Sequence, residues 1–498
     1  MAVPPSRSLA DLVTTAAANV PGHLALVEAR TGATLDWRSL DAASTAYARV
    51  LRDQGVTPGD RVVLVLPNGV KFVVALFGVL RAGGVAVPVN PDSAAPEVAR
   101  VVEHSGAALV LGTDLPGATT LPDPVPDAPA GEPLPPAAGG EDLALLCYTS
   151  GTAGVPRGVM LSHRALLANA EQCAALRPAP VTPTDRVLLA VPLSHAYGLS
   201  ALWQVAAAGA TGVLLDRFSV DAALATCQDR RVTTVVGVPT MFQAFTAAGA
   251  ERLGEALSTV RLATSGAAPL DPRTLAEFRR ETGLSIYEGY GLTETGPVLT
   301  STLVSGVAKP GSVGKALPGV EVRLVDTDGS TLEVVPDEDE VTYVESESET
   351  GLVAARGPNL FSGYWPDGAH GPDAHGWFRT GDVGYLDTEG DLHLVDRAND
   401  LIIVNGFNVY PHEVEHVVKR LPGVADAAAV GVPDDRAGER VKLVVVRGTE
   451  ASLGESEVLA HCGANLARFK VPAVVEFVDS LPLSVTGKVR RAGLRGVR

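Results

Sequence analysis

Residues 143–158 read LALLCYTSGTAGVPRG, an apolar run that passes into a loop of glycines and hydroxyls. The apolar part, 143–148, has the pattern of a strand buried on both faces, and the stretch from Ser162 has the pattern of a helix. Glycines let backbone N–H groups converge, hydroxyls add donors, and Arg157 adds a fixed positive charge. The segment therefore predicts a polyphosphate-binding loop or an ordinary strand-to-helix loop, and its spacing excludes a GxxxxGK(S/T) loop.

On both sides of this segment, short Val, Leu and Ile runs alternate with Ala-rich helical stretches. The runs are 61–66, 108–111, 186–191 and 234–238. This alternation predicts an α/β fold in which buried strands lie between layers of helices. Residues 72–89 predict a helix followed by a buried strand, and Ser8 predicts the cap of an amphipathic helix. The eight prolines of residues 112–141 predict a surface excursion.

The chain of 498 residues is long enough for two to four domains at ~100–200 residues each. After Asp396 the pattern changes to more highly charged strand–helix–strand units. We therefore predict a large N-terminal domain of layered subdomains, residues 1–396, and a small α+β domain, residues 397–498. Within the first domain, residues 321–335 predict a hairpin, and the acidic stretch that follows predicts an insertion.

Composition narrows the class of protein further. Hydrophobic residues make up 46% of the chain and charged residues 19%, which is typical of a globular protein without a membrane span. The net charge of −17 argues against a nucleic-acid surface, which needs clustered Lys and Arg. Four scattered cysteines and the absence of a visible export signal predict reduced thiols in the cytoplasm.

The order of residues in 149–158 resembles the signature loop of the adenylate-forming superfamily, which includes acyl-CoA synthetases, luciferases and peptide-synthetase adenylation domains. The resemblance extends over nearly the whole chain. It implies that the phosphates of ATP are bound by Thr149, Ser150, Gly151, Thr152, Gly154 and Arg157. Ala153 stands where the family usually has Thr, and Arg157 where it usually has Lys. The positive charge is kept, on a wider fork of donors.

A second stretch, IYEGYGLTET at 286–295, matches another motif of this family. The resemblance implies that Tyr290 stacks on adenine, Thr293 donates to the α-phosphate and Glu294 holds Mg²⁺. These roles suit an aromatic face, a hydroxyl and a carboxylate, although the stretch alone also fits a strand end broken by glycines. Further nucleotide contacts are implied for Glu288, Gly289, Gly291, Gly266, Ala267 and Ala268.

The resemblance extends to the C-terminal part of the chain. It implies that Asp382, in the stretch WFRTGD at 377–382, accepts hydrogen bonds from the ribose, with Arg397 as a second contact. It also implies a hinge near 396–400, where Asn399 replaces the usual Lys or Asp, and a lid that rotates after it. Gly406 would then approach the pantetheine arm of coenzyme A. Asp382 taken alone also fits a turn residue.

Lys488 ends the stretch LPLSVTGK at 481–488, which resembles the loop whose lysine enters the active site. Its ammonium would neutralise charge as the acyl carboxylate approaches the α-phosphate. Lys488 is therefore the expected catalytic residue, and a solvated lysine in a basic tail is the alternative.

His195 lies in VPLSHAYG, residues 191–198, which resembles the segment lining the acyl site. Relatives that activate amino acids carry an aspartate at this position, so we expect a substrate without an α-amino group. His195 also fits a buried histidine of the core. Small and apolar residues at 237–241 and 264–270 predict more of the pocket wall and favour a fatty or aryl acid.

The stretch His412-Glu-Val-Glu-His416 is a literal HExxH pattern, which can place two zinc ligands on one helical face. A Pro-x-Glu-Val-Glu pattern is common at this place in the adenylate-forming family. No third zinc ligand follows at an established spacing. Two solvated histidines are therefore the favoured interpretation, and a zinc hydrolase is the last alternative.

Together the motifs imply an ATP-dependent ligase of two half-reactions, with ATP, Mg²⁺ and coenzyme A as its small molecules. A carboxylate first displaces pyrophosphate from MgATP to give an acyl-adenylate, and the thiol of coenzyme A then expels AMP. The sequence leaves two other functions open. The acceptor could be a carrier protein or an amine, and the chain could be a nucleotide-binding protein without catalysis.

Overall fold

The computed structural model describes residues 7–129, 131–132, 134–150, 156–326, 330–332, 350–397, 402–404, 407–409, 411–434, 438–448, 453–466, 468–483 and 489–496. These residues form a mixed α/β structure, as the sequence predicts. The helices are α1 Asp11–Asn19, α2 Trp37–Asp53, α3 Val70–Ala82, α4 Ala95–Ser105, α5 His163–Ala174, α6 Ala196–Ala208, α7 Val220–Asp229, α8 Pro239–Ala247, α9 Ala250–Ala256, α10 Pro272–Thr282, α11 Thr302–Ser305, α12 Pro411–Lys419 and α13 Glu455–Asn465.

The strands follow the same chain order. They are β1 Leu24–Glu28, β2 Thr34–Asp36, β3 Arg61–Leu64, β4 Val85–Pro88, β5 Leu109–Leu111, β6 Thr119–Thr120, β7 Leu143–Ser150, β8 Pro156–Ser162, β9 Arg186–Leu189, β10 Thr211–Leu214, β11 Thr234–Gly237, β12 Leu262–Ser265, β13 Ile286–Gly291, β14 Val298–Ser301, β15 Lys315–Ala316, β16 Glu321–Val325, β17 Gly351–Arg356, β18 Phe378–Leu386, β19 Leu392–Arg397, β20 Ile402–Val404, β21 Phe407–Val409, β22 Val424–Asp434, β23 Gly438–Arg447 and β24 Val474–Val478.

The chain divides into two compact units. The first comprises residues 1–321 and 355–378, and the second comprises residues 322–354 and 379–498. The predicted hinge near 396–400 lies partly outside the described residues, so the boundary of the two domains at 396 stays a prediction.

The larger sheet of the first unit has the strand order β15-β14-β13-β12-β11-β9-β10-β1-β2 over its described residues. Strands β1 and β9 to β13 run parallel to one another, whereas β2 and β14 pair antiparallel with β1 and β13. The apolar runs at 186–191 and 234–238 form β9 and β11 as predicted. Phe242, Phe245 and Phe278 pack edge to face in the core on this sheet. Short apolar strands buried between helices are typical of a parallel sheet.

A second sheet of the first unit has the order β6-β5-β3-β4-β7-β8 among the described strands. Residues 72–89 form α3 and β4, which confirms the predicted helix and buried strand. Of the thirteen residues of α3, only Lys71 and Arg81 are not buried, as expected for a helix that is apolar all round. In the described residues of 112–141, the only strand is the short β6, in agreement with a surface excursion.

Two local predictions are wrong. The segment after β7 does not run directly into a helix, because β8 first folds back and pairs antiparallel with β7. Helix α5 then begins at His163 with Ser162 as its cap, as expected. The first helix begins at Asp11 rather than beside Ser8, since a tighter turn, closed by the bond from the Asp11 N–H to the backbone oxygen of Ser8, comes before it. In this turn the Asp11 carboxylate accepts the Ser8 N–H over 2.8 Å.

The second unit contains two smaller sheets. One has the order β16-β17-β18-β19, and in the other β24 pairs with β23 beside the order β21-β20-β23-β22. Helices α12 and α13 contribute Val414, Val418, Val458 and Cys462 to the core of the latter. Thr331 forms a bridge with Val325, while the rest of the predicted 331–335 strand lies mostly outside the described residues. Across the parts of both units that can be described, no helix has the length and apolar character to span a membrane.

Candidate active site

Four of the predicted site segments follow neighbouring parallel strands of the larger sheet. They are 191–195 after β9, 237–241 at the end of β11, 264–270 at the end of β12 and 288–294 at the end of β13. The register pairs Gly237 with Ser265 and Ser265 with Glu288, so these carboxyl ends reach the same edge. Ligands of open parallel sheets bind at this edge, and the structure therefore brings the predicted nucleotide and acyl segments together.

Strand β13 carries the Glu-Gly-Tyr-Gly part of the adenine motif. Tyr290 is buried opposite Thr300, and Gly289 and Gly291 pack close to β14. A Cβ at Gly291 would lie 1.8 Å from the backbone oxygen of Pro297, so only glycine fits there. The motif is therefore a tightly paired strand end, as well as a candidate adenine site.

Glu288 on the same strand is buried and accepts the N–H of Leu270 over 3.2 Å. Burial raises the pKa of the Glu288 carboxyl from 4.5 to about 8. The side chain therefore carries a proton at neutral pH. Its bond to Leu270 ties the end of the 264–270 segment to β13.

The predicted residues Gly266, Ala267 and Ala268 form the turn after β12. Ala267 has a φ of +71°, a left-handed conformation that costs a non-glycine residue ~1–2 kcal/mol. A Cβ on Gly266 would lie 3.0 Å from the Tyr197 ring, so the ring packs directly against the backbone of this turn. A strained turn held by its neighbours is common at binding sites.

Thr293 and Glu294 lie in a short 3-10 turn after β13. The Tyr364 hydroxyl donates to Oε1 of Glu294 over 2.7 Å, and burial together with the Glu294 charge keeps the pKa of Tyr364 above its ordinary value. Oε2 of Glu294 accepts no hydrogen bond within the described part of the chain. Carboxylate oxygens are suitable ligands for Mg²⁺, which commonly takes one or two carboxylates and completes its shell with phosphate and water.

Three buried side-chain amides, which the sequence analysis missed, form a hydrogen-bonded network with the turn that contains Glu294 and with the strand after it. Asn359 donates to the backbone oxygen of Thr295 over 2.7 Å, and Asn169 donates to that of Val298 over 2.7 Å. Gln172 bonds to both asparagine side chains. Because these residues are distant in sequence, no local pattern points to them.

The phosphate-loop residues are placed only in part. Thr149 pairs with Arg157 and Ser150 with Pro156 across the β7–β8 hairpin. Arg157 is exposed, and its Cζ lies 5.5 Å from the centre of the Tyr364 ring. The predicted Gly151, Thr152 and Gly154 lie outside the described residues.

His195 caps α6 by accepting the N–H of Tyr197 at Nδ1, over 3.3 Å. The segment before it is held by Asn68, a buried residue that sequence reasoning missed. Asn68 accepts the N–H of Leu193 over 2.7 Å and donates toward the backbone oxygen of Val191 over 3.0 Å. The Asn-Gly pair at 68–69 resembles a turn in sequence, which conceals this role.

In the second unit, Asp382 is buried on β18, and its backbone lies opposite that of Arg397 in the antiparallel register with β19. Its backbone N–H donates to the Thr380 hydroxyl over 3.1 Å. The Arg397 side chain, Gly406 and Lys488 lie outside the described residues. Their predicted roles, like that of Asp382, stay predictions.

The HExxH pattern lies on α12, where His412 and His416 are exposed residues. Glu413 pairs with Lys470 over 2.7 Å, and Glu415 pairs with Arg491 over 3.0 Å. Each acidic residue of the pattern thus already has a cationic partner.

The parallel sheet and the motifs at its edge define a nucleotide-binding α/β enzyme. Residues 13–365 match the AMP-binding enzyme family, and residues 413–488 match the AMP-binding enzyme C-terminal domain. The chain is 36% identical to a feruloyl-CoA synthase from an Amycolatopsis species, over 93% of this chain and 94% of the relative. It is 32% identical to a long-chain-fatty-acid–CoA ligase from Escherichia coli O157:H7, over 98% and 94%.

Among solved structures, the chain is similar to ATP-bound MatB from Rhodopseudomonas palustris. The TM-score is 0.88 at 33% identity, and 98% of each chain is covered. The chain belongs to the AMP-binding enzyme family and is an acyl-CoA synthetase, which uses ATP and coenzyme A to convert a carboxylic acid into its thioester.

Proposed function

We propose that this acyl-CoA synthetase activates an aryl or fatty acid without an α-amino group, and that it does so with Mg²⁺. The observation that carries the proposal is the meeting of four motif segments at one edge of the parallel sheet, next to His195 and Glu294. These segments supply an aromatic ring, small residues and a carboxylate, which together suit adenine, an acyl chain and a cation.

The first half-reaction follows from these positions. Tyr290 stacks on adenine, Thr293 donates to the α-phosphate, and the phosphate-loop residues with Arg157 bind the leaving pyrophosphate. Bound Mg²⁺, held by Glu294, would neutralise charge on the phosphate oxygens. Asp382 and Arg397 bind the ribose. Lys488 donates to the oxygens of the reacting carboxylate and α-phosphate, which repel each other without a cation.

In the second half-reaction the thiol of coenzyme A attacks the acyl carbon and AMP leaves. We propose that the lid rotates near residues 396–400 between the two steps, which removes Lys488 and brings Gly406 to the pantetheine arm. A thiolate is a good nucleophile, so the protein mainly has to position it.

The acid class rests on the acyl segment. His195 lies at the position where relatives that activate amino acids carry an aspartate. In those relatives a carboxylate at this position pairs with the α-amino group of the substrate. The two relatives described above are named for feruloyl-CoA and for long-chain fatty acids, and both kinds of acid lack an α-amino group. A cytoplasmic location, expected from the scattered cysteines, stays a prediction.

The test is a pyrophosphate-release assay over a panel of aryl acids, fatty acids of increasing length and free amino acids, each with and without coenzyme A. We expect release to depend on an aryl or fatty acid and to accelerate with coenzyme A. Efficient release with a free amino acid would overturn the proposed acid class. Release that is indifferent to coenzyme A would show that another acceptor is used.

A further inference from the structure

The segment 361–365 joins two parts of the candidate site. Phe361 donates its N–H to the backbone oxygen of Glu294 over 3.0 Å. Farther along, Trp365 donates its N–H to the backbone oxygen of Gly158 over 2.8 Å, on the strand that carries Arg157. The segment therefore pairs with the phosphate-loop hairpin at one end and with the Thr293–Thr295 turn at the other.

Gly158 makes this pairing possible. A Cβ at Gly158 would lie 2.9 Å from Cδ1 of Leu146 and 3.2 Å from Cβ of Trp365. The absence of a side chain lets the 361–365 segment lie against β8, and two more backbone bonds join Met160 to Ser362 and Gly363. The position of Tyr364 relative to Arg157 is therefore fixed by the backbone.

The Tyr364 side chain lies between the two charged groups. Its ring lies 5.5 Å from Cζ of Arg157, and its hydroxyl donates to Oε1 of Glu294 over 2.7 Å. The ring is also packed edge to face against Phe361, with centroids 5.1 Å apart. In this orientation Tyr364 contacts a cation and an anion at once.

We propose that Tyr364 is a positioning residue that couples Arg157 to Glu294, so that binding of the nucleotide phosphates and binding of Mg²⁺ strengthen each other. The proposal rests on the nucleotide part of the proposed function and does not depend on the acid or on the acceptor. Donation from the hydroxyl fixes Glu294 in one rotamer and leaves Oε2 for a cation. A planar guanidinium packs on an aromatic face better than an ammonium does, so the coupling also gives a role to Arg at a position where Lys is usual.

The experiment measures binding rather than turnover. ATP is titrated calorimetrically into the full-length protein without an acid substrate, once with excess MgCl₂ and once with EDTA. Tyr364→Phe removes the hydroxyl and keeps the ring. We expect the strengthening of ATP binding by Mg²⁺ to fall about tenfold in this variant, as for loss of a hydrogen bond to a charged group, with little change in EDTA. In a double-mutant cycle with Arg157→Lys, the two effects should not add.

Tyr47→Phe is the matched control, because it removes a hydroxyl that donates to the backbone oxygen of Pro122 over 3.0 Å and contacts neither charged group. It should leave both titrations unchanged. Equal weakening in MgCl₂ and in EDTA for Tyr364→Phe would show a merely structural role and overturn the coupling. No effect in either titration, or no Mg²⁺ dependence in the wild-type protein, would overturn it as well. A wild-type protein that binds MgATP but releases no pyrophosphate with any acid would instead contradict the proposed function.

Discussion

The side-chain oxygen of Asn68 accepts a hydrogen bond from the backbone N–H of Leu193 over 2.7 Å, and this contact holds the acyl segment against the neighbouring sheet. The amide nitrogen of Asn68 faces three backbone oxygens, those of Leu189, Val191 and Leu215. Asn68 follows β3 of one sheet, whereas its partners lie at the end of β9 or follow β9 and β10 of the other. A single buried amide therefore fixes the position of the segment that leads to His195.

We expect Asn68→Asp to destabilise the protein by about 2–4 kcal/mol, because it keeps the acceptor for Leu193 but turns an oxygen toward three carbonyls. The KM for the acid should rise more than the KM for ATP. Urea denaturation and steady-state pyrophosphate release measure the two effects. Asn90→Asp is the control, since the Asn90 side-chain oxygen accepts the N–H of Asp92 in a local turn. Equal rises in both KM values would contradict a specific effect on the acyl segment.

Glu288 predicts a dependence of stability on pH. Its pKa is about 8 in the folded protein and 4.5 when solvated, so between these values the folded protein holds a proton that the unfolded chain has lost. The free energy of unfolding contributed by this group therefore falls as pH rises from about 4.5 to about 8. At ~1.4 kcal/mol per pKa unit, the full loss is on the order of 5 kcal/mol.

Glu288→Gln cannot lose a proton, so the variant should lose less stability than the wild type between pH 5 and pH 9. Urea denaturation at several pH values measures the difference between the two curves. Other carboxyls titrate in both proteins and cancel in that difference. Glu171→Gln, at an exposed side chain, should follow the wild type. Parallel curves for Glu288→Gln and the wild type would show that Glu288 is ionised in the folded protein.

The strands of the parallel sheets were predictable because they are buried on both faces and consist of Val, Leu and Ile. The helix and strand within 72–89 and the helix after Ser162 were predictable for similar local reasons. The start of α1 was not, because a tighter turn, closed by the bond from the Asp11 N–H to the backbone oxygen of Ser8, comes before the helix. Strand β8 was missed because it begins at Pro156 and contains Gly158, and both residue types are unusual in strands. Its partner, β7, lies on the other side of the glycine-rich loop.

The site was predictable where one short motif holds the chemistry, as in residues 286–295. It was not predictable where distant side chains meet. Tyr364 contacts Glu294, which lies 70 residues away in the chain, and Asn359 contacts Thr295 from 64 residues away. Such contacts depend on how strands and turns are packed, and no periodicity in the sequence reports them.

We expect the two glutamates of α12, Glu415 and Glu413, to contribute very different amounts to the free energy of unfolding. The buried Glu415 carboxylate accepts two hydrogen bonds from the half-buried Arg491 side chain and one from the N–H of Ala429. Glu415→Ala removes the carboxylate that pairs with the Arg491 guanidinium and accepts the Ala429 N–H, and it should cost about 3–5 kcal/mol. Native-state hydrogen exchange of the α12 amides, in the full-length protein, should show correspondingly weaker protection.

Glu413→Ala is the matched control, because Glu413 makes a single, more exposed ion pair with Lys470, and ion pairs open to solvent contribute about 0–1 kcal/mol. Its α12 amides should exchange almost as in the wild type. Equal protection in the two variants would contradict a structural role for the buried pair.

Replacement of Lys488 should slow the first half-reaction and leave the second nearly unchanged. Its ammonium is proposed to act while the carboxylate approaches the α-phosphate, and removal of one such donor costs ~3–4 kcal/mol, or ~10²–10³ in rate. We therefore expect Lys488→Ala to slow formation of the acyl-adenylate by that factor. Transfer from a supplied acyl-adenylate to coenzyme A should proceed at a nearly wild-type rate, because the proposed lid rotation has removed Lys488 by then. Rapid-quench kinetics of each step measures the two rates.

Lys71→Ala, at an exposed ion pair with Asp123, is the control and should change neither rate. Equal slowing of both steps would assign Lys488 to folding or to coenzyme A binding instead of adenylation.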